Sequence, residues 1–549
     1  MLSRFGDVIL TYTSINFIFF VLVTALLYFA LPLKKHKWIV LLAASIFFYL
    51  VAGYKYAMFI LFTAISTYLI GLWIDKISKN SKAVLKKNKA DWDRETKKKY
   101  KNKVKVQKRL VMAFALVLNF GILAFLKYFN FFAGSLNDIL GNFGINFSIP
   151  TLALFLPLGI SFYTFQSMGY IVDVYREKTA AEKNPLKFML FVSFFPQIVQ
   201  GPISIYDQLA HQLYEPHSFD FTRFKHGMML ILWGFFKKLI IADRAVIAIN
   251  TVTDSYNSYG GSTLLFTILL YSVQLYADFS GGIDISRGVA QIFGIDMIDN
   301  FKRPYFSKSI NEYWRRWHIS LGAWLKNYLF YPVAMSNVFI NASKKMKGTR
   351  FGKTAAGAHI AKVLPTSVAS LIVFLVVGIW HGADWKYVGF GLWNGLIIMV
   401  SILLQPVFDF ILEKLHINPK AAWYSVFQML RTFIIVLVGY VFDVAPGINE
   451  SMNTFKLILT NQSFAQARAQ ISELGLGKKD FIVILVGIIV IFIVSVIQER
   501  HPSTTIRKML DKKPFILRFA LIFIGIMAVI VYGIYGSGYN PADFVYMQF

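Results

Sequence analysis

Apolar residues in this chain come in long unbroken runs rather than in strict alternation. The runs fall near residues 8–33, 38–53, 57–74, 110–133, 151–172, 227–250, 262–279, 363–381, 387–405, 424–443, 481–498 and 515–536. Most approach the roughly 20 residues that a helix rising 1.5 Å per residue needs to cross about 30 Å of hydrocarbon. The pattern predicts an all-α polytopic membrane protein in which ten or eleven runs cross fully, with aromatic residues at many boundaries. The run from Val8 to Leu33 is too long for a signal-peptide core and lacks a small-x-small cleavage site, so we expect a retained first span. No internal repeat is visible. The expected organisation is one membrane domain over 1–549: N-terminal spans (1–75), a basic cytoplasmic loop (76–109), a core (110–405) and C-terminal spans (406–549).

Composition sharpens this picture. Of 549 residues, 56% are hydrophobic and 16% charged, against about 45–50% and 25% in a soluble domain. Disorder, a collagenous repeat and an ordinary soluble enzyme are excluded. The net charge of +28 raises nucleic acid as a partner, but its distribution argues against that. Between Asp75 and Arg109 stand 15 Lys/Arg and 4 Asp/Glu, with smaller basic clusters at Lys34–Lys37, Lys344–Lys353 and Arg500–Lys513. Basic loops between apolar spans mark the cytoplasmic side of a membrane. The chain has no cysteine, which removes disulfides, thiolate metal sites and a cysteine nucleophile.

Two stretches do not read as simple spans. Phe194 to Pro202 is apolar but carries two prolines and a glycine. At membrane depth such backbone needs protein or a watery cavity around it, so a re-entrant or interfacial segment beside an internal site is expected. In the second stretch, Ser309-Ile310-Asn311-Glu312 fits a capping box and predicts a helix start. Continued as one helix to Val333, it places Trp314, Trp317, Leu321, Trp324, Leu325, Tyr328 and Leu329 on one face, and Arg315, Arg316, Lys326 and Asn327 on the other. This predicts an amphipathic helix in the plane of the interface.

His318 falls on the aromatic face of that helix, and His381 ends the apolar run 371–380. The other seven histidines read as loop or loop-edge residues, His226 and His359 among them. Ionisable groups inside apolar segments are costly and face the bundle interior or a solvated path. A desolvated imidazole stays neutral and can act as a general base, although a lone buried histidine is more often a hydrogen-bonded core residue. Two of them, each beside a tryptophan, point to one buried site. Asp278, in a piece expected to break its helix at Gly281-Gly282, is read either as orienting a histidine or as pairing with an arginine. Asp243-Arg244 reads as an interfacial charge cluster. No Gly-x-Ser-x-Gly elbow is present, so a serine-hydrolase route has no support. On these residues alone, an enzyme and a proton-coupled transporter or polysaccharide exporter remain open together.

The motifs taken in order resemble the membrane-bound O-acyltransferase (MBOAT) family, and within it the alginate O-acetyltransferase branch. They are Pro157–Gln166, Phe195–Ile203, Lys237-Lys238 with Ala242-Asp243, Asp278–Gly281, Tyr313–Leu321, Trp380-His381-Gly382 and Phe544–Phe549. The chain departs from that pattern at Ala277 and Gly282, where aromatics are expected, and in its longer basic loop. The resemblance implies a helical fold around a central tunnel, with re-entrant and interfacial helices. It implies acyl transfer from a cytoplasmic thioester, acetyl-CoA first, to an extracytoplasmic hydroxyl on an exopolysaccharide or cell-wall polymer. Carried over by position, His381 and His318 become the catalytic pair, with Asp278, Trp317, Trp380, Arg315 and Arg316 as supporting residues around them. No metal and no tightly bound cofactor are implied. The implied setting is a bacterial plasma membrane, with an extracytoplasmic acetyl-transfer partner, a polysaccharide acceptor and no nucleic acid. A teichoic-acid D-alanyltransferase fed by a carrier-protein thioester shares the same implied features.

Overall fold

The computed structural model describes residues 10–145 and 147–535. The expected span at the very N-terminus and the Phe544–Phe549 motif therefore fall wholly or partly outside the described residues. Among the described residues the regular structure is helical, and eight helices are long and apolar enough to cross a membrane. The chain is a multi-pass, all-α membrane protein, as its pattern predicts.

The number of such helices differs from the ten or eleven expected for identifiable reasons. The first run gives Ile15–Ala30, 16 residues and about 24 Å, short of a full crossing. The runs 38–53 and 57–74 merge into one helix, Trp38–Lys87, kinked at Gly53 (φ 147°, ψ 106°), a backbone that only glycine adopts without strain. Of the run 151–172 only the part from Ile160 becomes helical, in Ile160–Tyr175. The run 227–250 is interrupted by a π-helical stretch, Phe236–Ala242.

The chain divides into two compact units, Met1–Ile231 with Ile285–Ile298, and Leu232–Asp284 with Asp299–Phe549. In the first unit, Trp38–Lys87 and Arg94–Asn142 run on from their apolar portions into the basic stretch, which is largely helical. Lys82 and Lys108 both reach Glu177, each at 2.8 Å. Their ammonium groups, Lys108 first, hold that carboxyl down at about 2. The Phe194–Pro202 segment is wholly buried in this unit around a one-turn helix, Phe195–Ile198. Tyr12 donates to the carbonyl of Pro196 (2.8 Å), so a carbonyl that this broken backbone leaves over is satisfied by protein, as it must be at membrane depth. His226, expected in a loop, is buried within Phe221–Phe235.

The second unit holds both motif histidines. The Gly261–Ile292 helix, whose part up to Asp284 belongs to this unit, runs unbroken through Gly281-Gly282, against expectation. A Cβ on Gly281 would stand 3.0 Å from the carbonyl oxygen of Gly234 and 3.3 Å from the Lys238 nitrogen, so the glycine permits close helix approach and does not end the helix. Ala355–His381 and Trp385–Leu403 form an antiparallel hairpin. A Cβ on Gly378 would lie 2.2 Å from the Tyr387 carbonyl oxygen, and one on Gly391 2.5 Å from that of Phe374. That seam fixes the height at which the first helix presents its last residue, His381. His359 sits inside the same helix, with Nε2 3.1 Å from the Ile402 carbonyl oxygen, and not at a loop edge.

Candidate active site

The helix expected to run from Ser309 to Val333 starts as predicted and then breaks. Ser309 caps Ile310–Arg316 by accepting from the Glu312 nitrogen (3.2 Å), while the Glu312 carboxylate reaches back to the Lys308 nitrogen (2.9 Å). Trp317 is then extended (φ −103°, ψ 131°) and His318 is left-handed (φ 46°, ψ 53°) before Ile319–Leu325 begins. A left-handed non-glycine residue costs about 1–2 kcal/mol, so something must hold it. Asn300 does. Its carbonyl accepts from the Ile319 nitrogen (3.0 Å) and its side-chain Oδ1 accepts from the Ser320 nitrogen (2.9 Å), with His318 Nδ1 3.3 Å away. The helical wheel therefore fails beyond Arg316, and with it the single in-plane helix.

This clamp also sets the chemistry of His318. An amide oxygen is acceptor-only, so Nδ1 carries the hydrogen it donates and Nε2 bears the lone pair. The ring is 3% exposed. It meets Phe279 edge-on at 4.9 Å and Trp380 at 5.9 Å between centroids. Burial above all, and then the neighbouring His381, lower its pKa from 6.5 to about 3. His318 is a neutral imidazole at any physiological pH.

His381 meets the same indole, 5.3 Å from Trp380 and 5.0 Å from Phe390 between centroids. Both histidines thus pack against Trp380, and His381 is close enough to weigh on the charge of His318. His381 is the last residue of its helix, where the carbonyl end of the dipole favours a positive charge. Gly382 follows because the Tyr387 ring packs over it: a Cβ there would stand 2.1 Å from Cε2 of that ring. His381 opens onto a narrow recess whose other walls are Tyr271, Leu275, Tyr313, Trp314, Trp317, Phe390, Tyr440 and Asp443. The Tyr313 and Tyr440 hydroxyls bond each other at 2.7 Å, and Trp314 donates to Asn394 (3.1 Å).

The remaining expected residues divide between this site and structural roles. Trp317 lines the recess and packs edge-on against Phe301 at 4.9 Å. Arg315 is exposed, whereas Arg316 pairs with Glu312 (2.6 Å) and Glu499 (3.0 Å). Asp278 pairs with neither a histidine nor an arginine in the way expected: its Oδ1 holds Lys238 Nζ at 2.5 Å, and Asp243 holds the same ammonium at 2.8 Å. Lys237 reaches Asp284 (2.7 Å) and Ser280 (2.8 Å). Asp243-Arg244 is a structural charge cluster, since Arg244 itself pairs with Asp480 and donates to the Tyr532 carbonyl (2.6 Å). The π-helical widening at Phe236–Ala242 lets two consecutive lysines both face these carboxylates.

Sequence reasoning missed Asn300 and Asp443. Asp443 carried a usable signal, an acidic residue closing an apolar run. Asn300 carried none, because its role depends on a partner 18 residues away.

The model of the membrane-bound O-acyltransferase family matches residues 170–347 of this chain, the stretch that carries His318 and its clamp. A probable alginate O-acetylase AlgI of Pseudomonas syringae pv. tomato is 34% identical over 326 residues, 59% of this chain and just over half (56%) of that protein. A peptidoglycan O-acetyltransferase of Helicobacter pylori is 29% identical over 453 residues, 77% of this chain and 74% of that protein. A teichoic acid D-alanyltransferase of Bacillus subtilis is 29% identical over 299 residues, 53% of this chain and 69% of that protein.

Proposed function

We propose that this protein is a membrane O-acyltransferase that moves an acetyl group from a cytoplasmic thioester, acetyl-CoA, to a hydroxyl of an extracytoplasmic polysaccharide or cell-wall polymer. The observation that carries this reading is the placement of His381, on a helix C-terminus at the wall of a narrow buried recess with a second neutral histidine packed against the same Trp380. His381 takes the proton of the acceptor hydroxyl as its oxygen attacks the thioester carbonyl. The new C–O ester bond forms, the C–S bond breaks, and the imidazolium returns the proton to the departing thiolate. A base of this kind contributes about 10²–10⁴-fold. His318 positions the thioester or polarises its carbonyl, its ring held by Asn300. The names of the relatives support an O-acetyl product. The protein sits in a bacterial plasma membrane and works with an extracytoplasmic partner that completes delivery.

The D-alanyl relative supports a second reading, in which a carrier-protein thioester supplies the acyl group. Vesicles containing the full-length protein, given acetyl-CoA or carrier-bound D-alanine separately, distinguish the two. In the same vesicles His381→Ala is expected to lose at least about 100-fold in transfer, and His318→Ala to be strongly impaired. Full activity in both variants ends the two-histidine mechanism. Uptake driven by a proton gradient with no acylated product would instead mark a transporter.

A further inference from the structure

One group on the wall of the recess has no part in the acyl-transfer steps above. Asp443 closes the Ala422–Val444 helix and lines the recess together with His381. Its Oδ1 is buried, and among the described residues no protein group donates to it. The neighbouring cation is committed elsewhere: Lys386 Nζ donates to the main-chain oxygens of Asp443 (3.2 Å) and Ala445 (2.7 Å), satisfying the end of the helix and not the carboxylate. A buried carboxylate oxygen without a donor is costly, and such atoms in native proteins are the exceptions that call for an explanation. Around it the walls are aromatic, the usual make-up of a ligand pocket in which a few polar groups fix orientation.

We propose that Asp443 is an acceptor-binding residue: it accepts a hydrogen bond from a second hydroxyl of a polyhydroxylated acceptor, a sugar, while His381 takes the proton from the hydroxyl that is acylated. The Oδ1 that lacks a donor is an acceptor, so it selects a ligand that brings hydroxyl donors. A site built to bond a hydroxyl rejects an analogue lacking it far more strongly than an apolar wall could. The inference rests on the acyl-transfer reading and names the part of the recess that its acceptor uses.

The test uses the full-length protein in vesicles with acetyl-CoA, a panel of mannuronate-, cellulose- and chitin-derived oligosaccharides, and 1-propanol as an acceptor with a single hydroxyl. Asp443→Leu is expected to raise KM for the best oligosaccharide by at least about tenfold, the loss of one charge-assisted hydrogen bond. The KM for acetyl-CoA, and kcat at saturating oligosaccharide, stay within about threefold. Transfer to 1-propanol falls far less than transfer to the oligosaccharide, and Asp443→Asn, which keeps a side-chain oxygen acceptor, recovers most of the lost affinity. An unchanged oligosaccharide KM in Asp443→Leu, while transfer still depends on His381, overturns the role of Asp443 alone. Equal losses on oligosaccharide and propanol also overturn it, as a merely structural effect. No His381-dependent transfer in the unaltered protein removes the acyl-transfer reading, and this inference with it.

Discussion

Replacing Asn300 by leucine tests the clamp that makes His318 what it is. The substitution keeps nearly the same volume and leaves the main-chain bond to Ile319 in place. It removes the acceptor of the Ser320 nitrogen (2.9 Å) and of His318 Nδ1 (3.3 Å), both on residues at most 3% exposed. Stranding a buried donor costs about 1–3 kcal/mol, so two cost about 2–6. The left-handed turn at His318 holds about 1–2 kcal/mol of strain, which the segment can release by letting the turn go. We therefore expect a net loss of about 1–4 kcal/mol, accompanied by displacement of His318 from Phe279 and Trp380. The assay is thermal unfolding of the detergent-solubilised protein in parallel with acyl transfer in vesicles. Asn300→Asp is the companion variant, since it keeps both acceptors and should recover the stability. It also puts a carboxylate on Nδ1, which raises the pKa of His318, so the acid limb of its activity should move to higher pH. Asn300→Leu with the melting temperature and activity of the unaltered protein would refute the clamp.

Acid should destabilise the protein through His318 in a definite window. The native ring binds a proton only near pH 3, whereas the unfolded one does so near 6.5. The unfolded state therefore holds more protons between those values, and the stability present above about pH 6.5 falls as pH drops, by about 1.4 kcal/mol per unit. Melting at pH 7.5 and 5.0 should show a smaller acid loss in His318→Gln than in the unaltered protein, and equal losses would dismiss the effect. Lys238→Met removes the ammonium shared by Asp278 and Asp243 and should cost about 3–5 kcal/mol. Adding Asp278→Leu should restore part of it, and a melt unchanged by Lys238→Met would show that the cluster is dispensable.

What the sequence made legible and what it did not follow a physical division. The helical spans and the two histidines could be read because hydrophobic runs, and ionisable groups set inside them, are local signals. The break at Trp317-His318 could not, since the apolar period continues across it and the cause is Asn300, distant in the chain. The lysine–carboxylate cluster escaped for the same reason: its partners Lys238 and Asp278 are 40 residues apart. Gly281 was misread because a glycine that ends a helix and one that lets two helices touch look identical in sequence. Only the nearby Gly234 carbonyl separates the cases.

The glycine seam behind His381 also makes the recess asymmetric. On that side the neighbouring backbones stand so close that even a methyl group has no room. A Cβ placed on Gly439, one residue before Tyr440, would instead meet Asn394, Phe390 and Trp393 at ordinary contact distances of 3.5–3.6 Å. The seam is thus a rigid anvil that keeps the imidazole at a set depth, while the helix that carries Tyr440 and Asp443 packs at a normal distance.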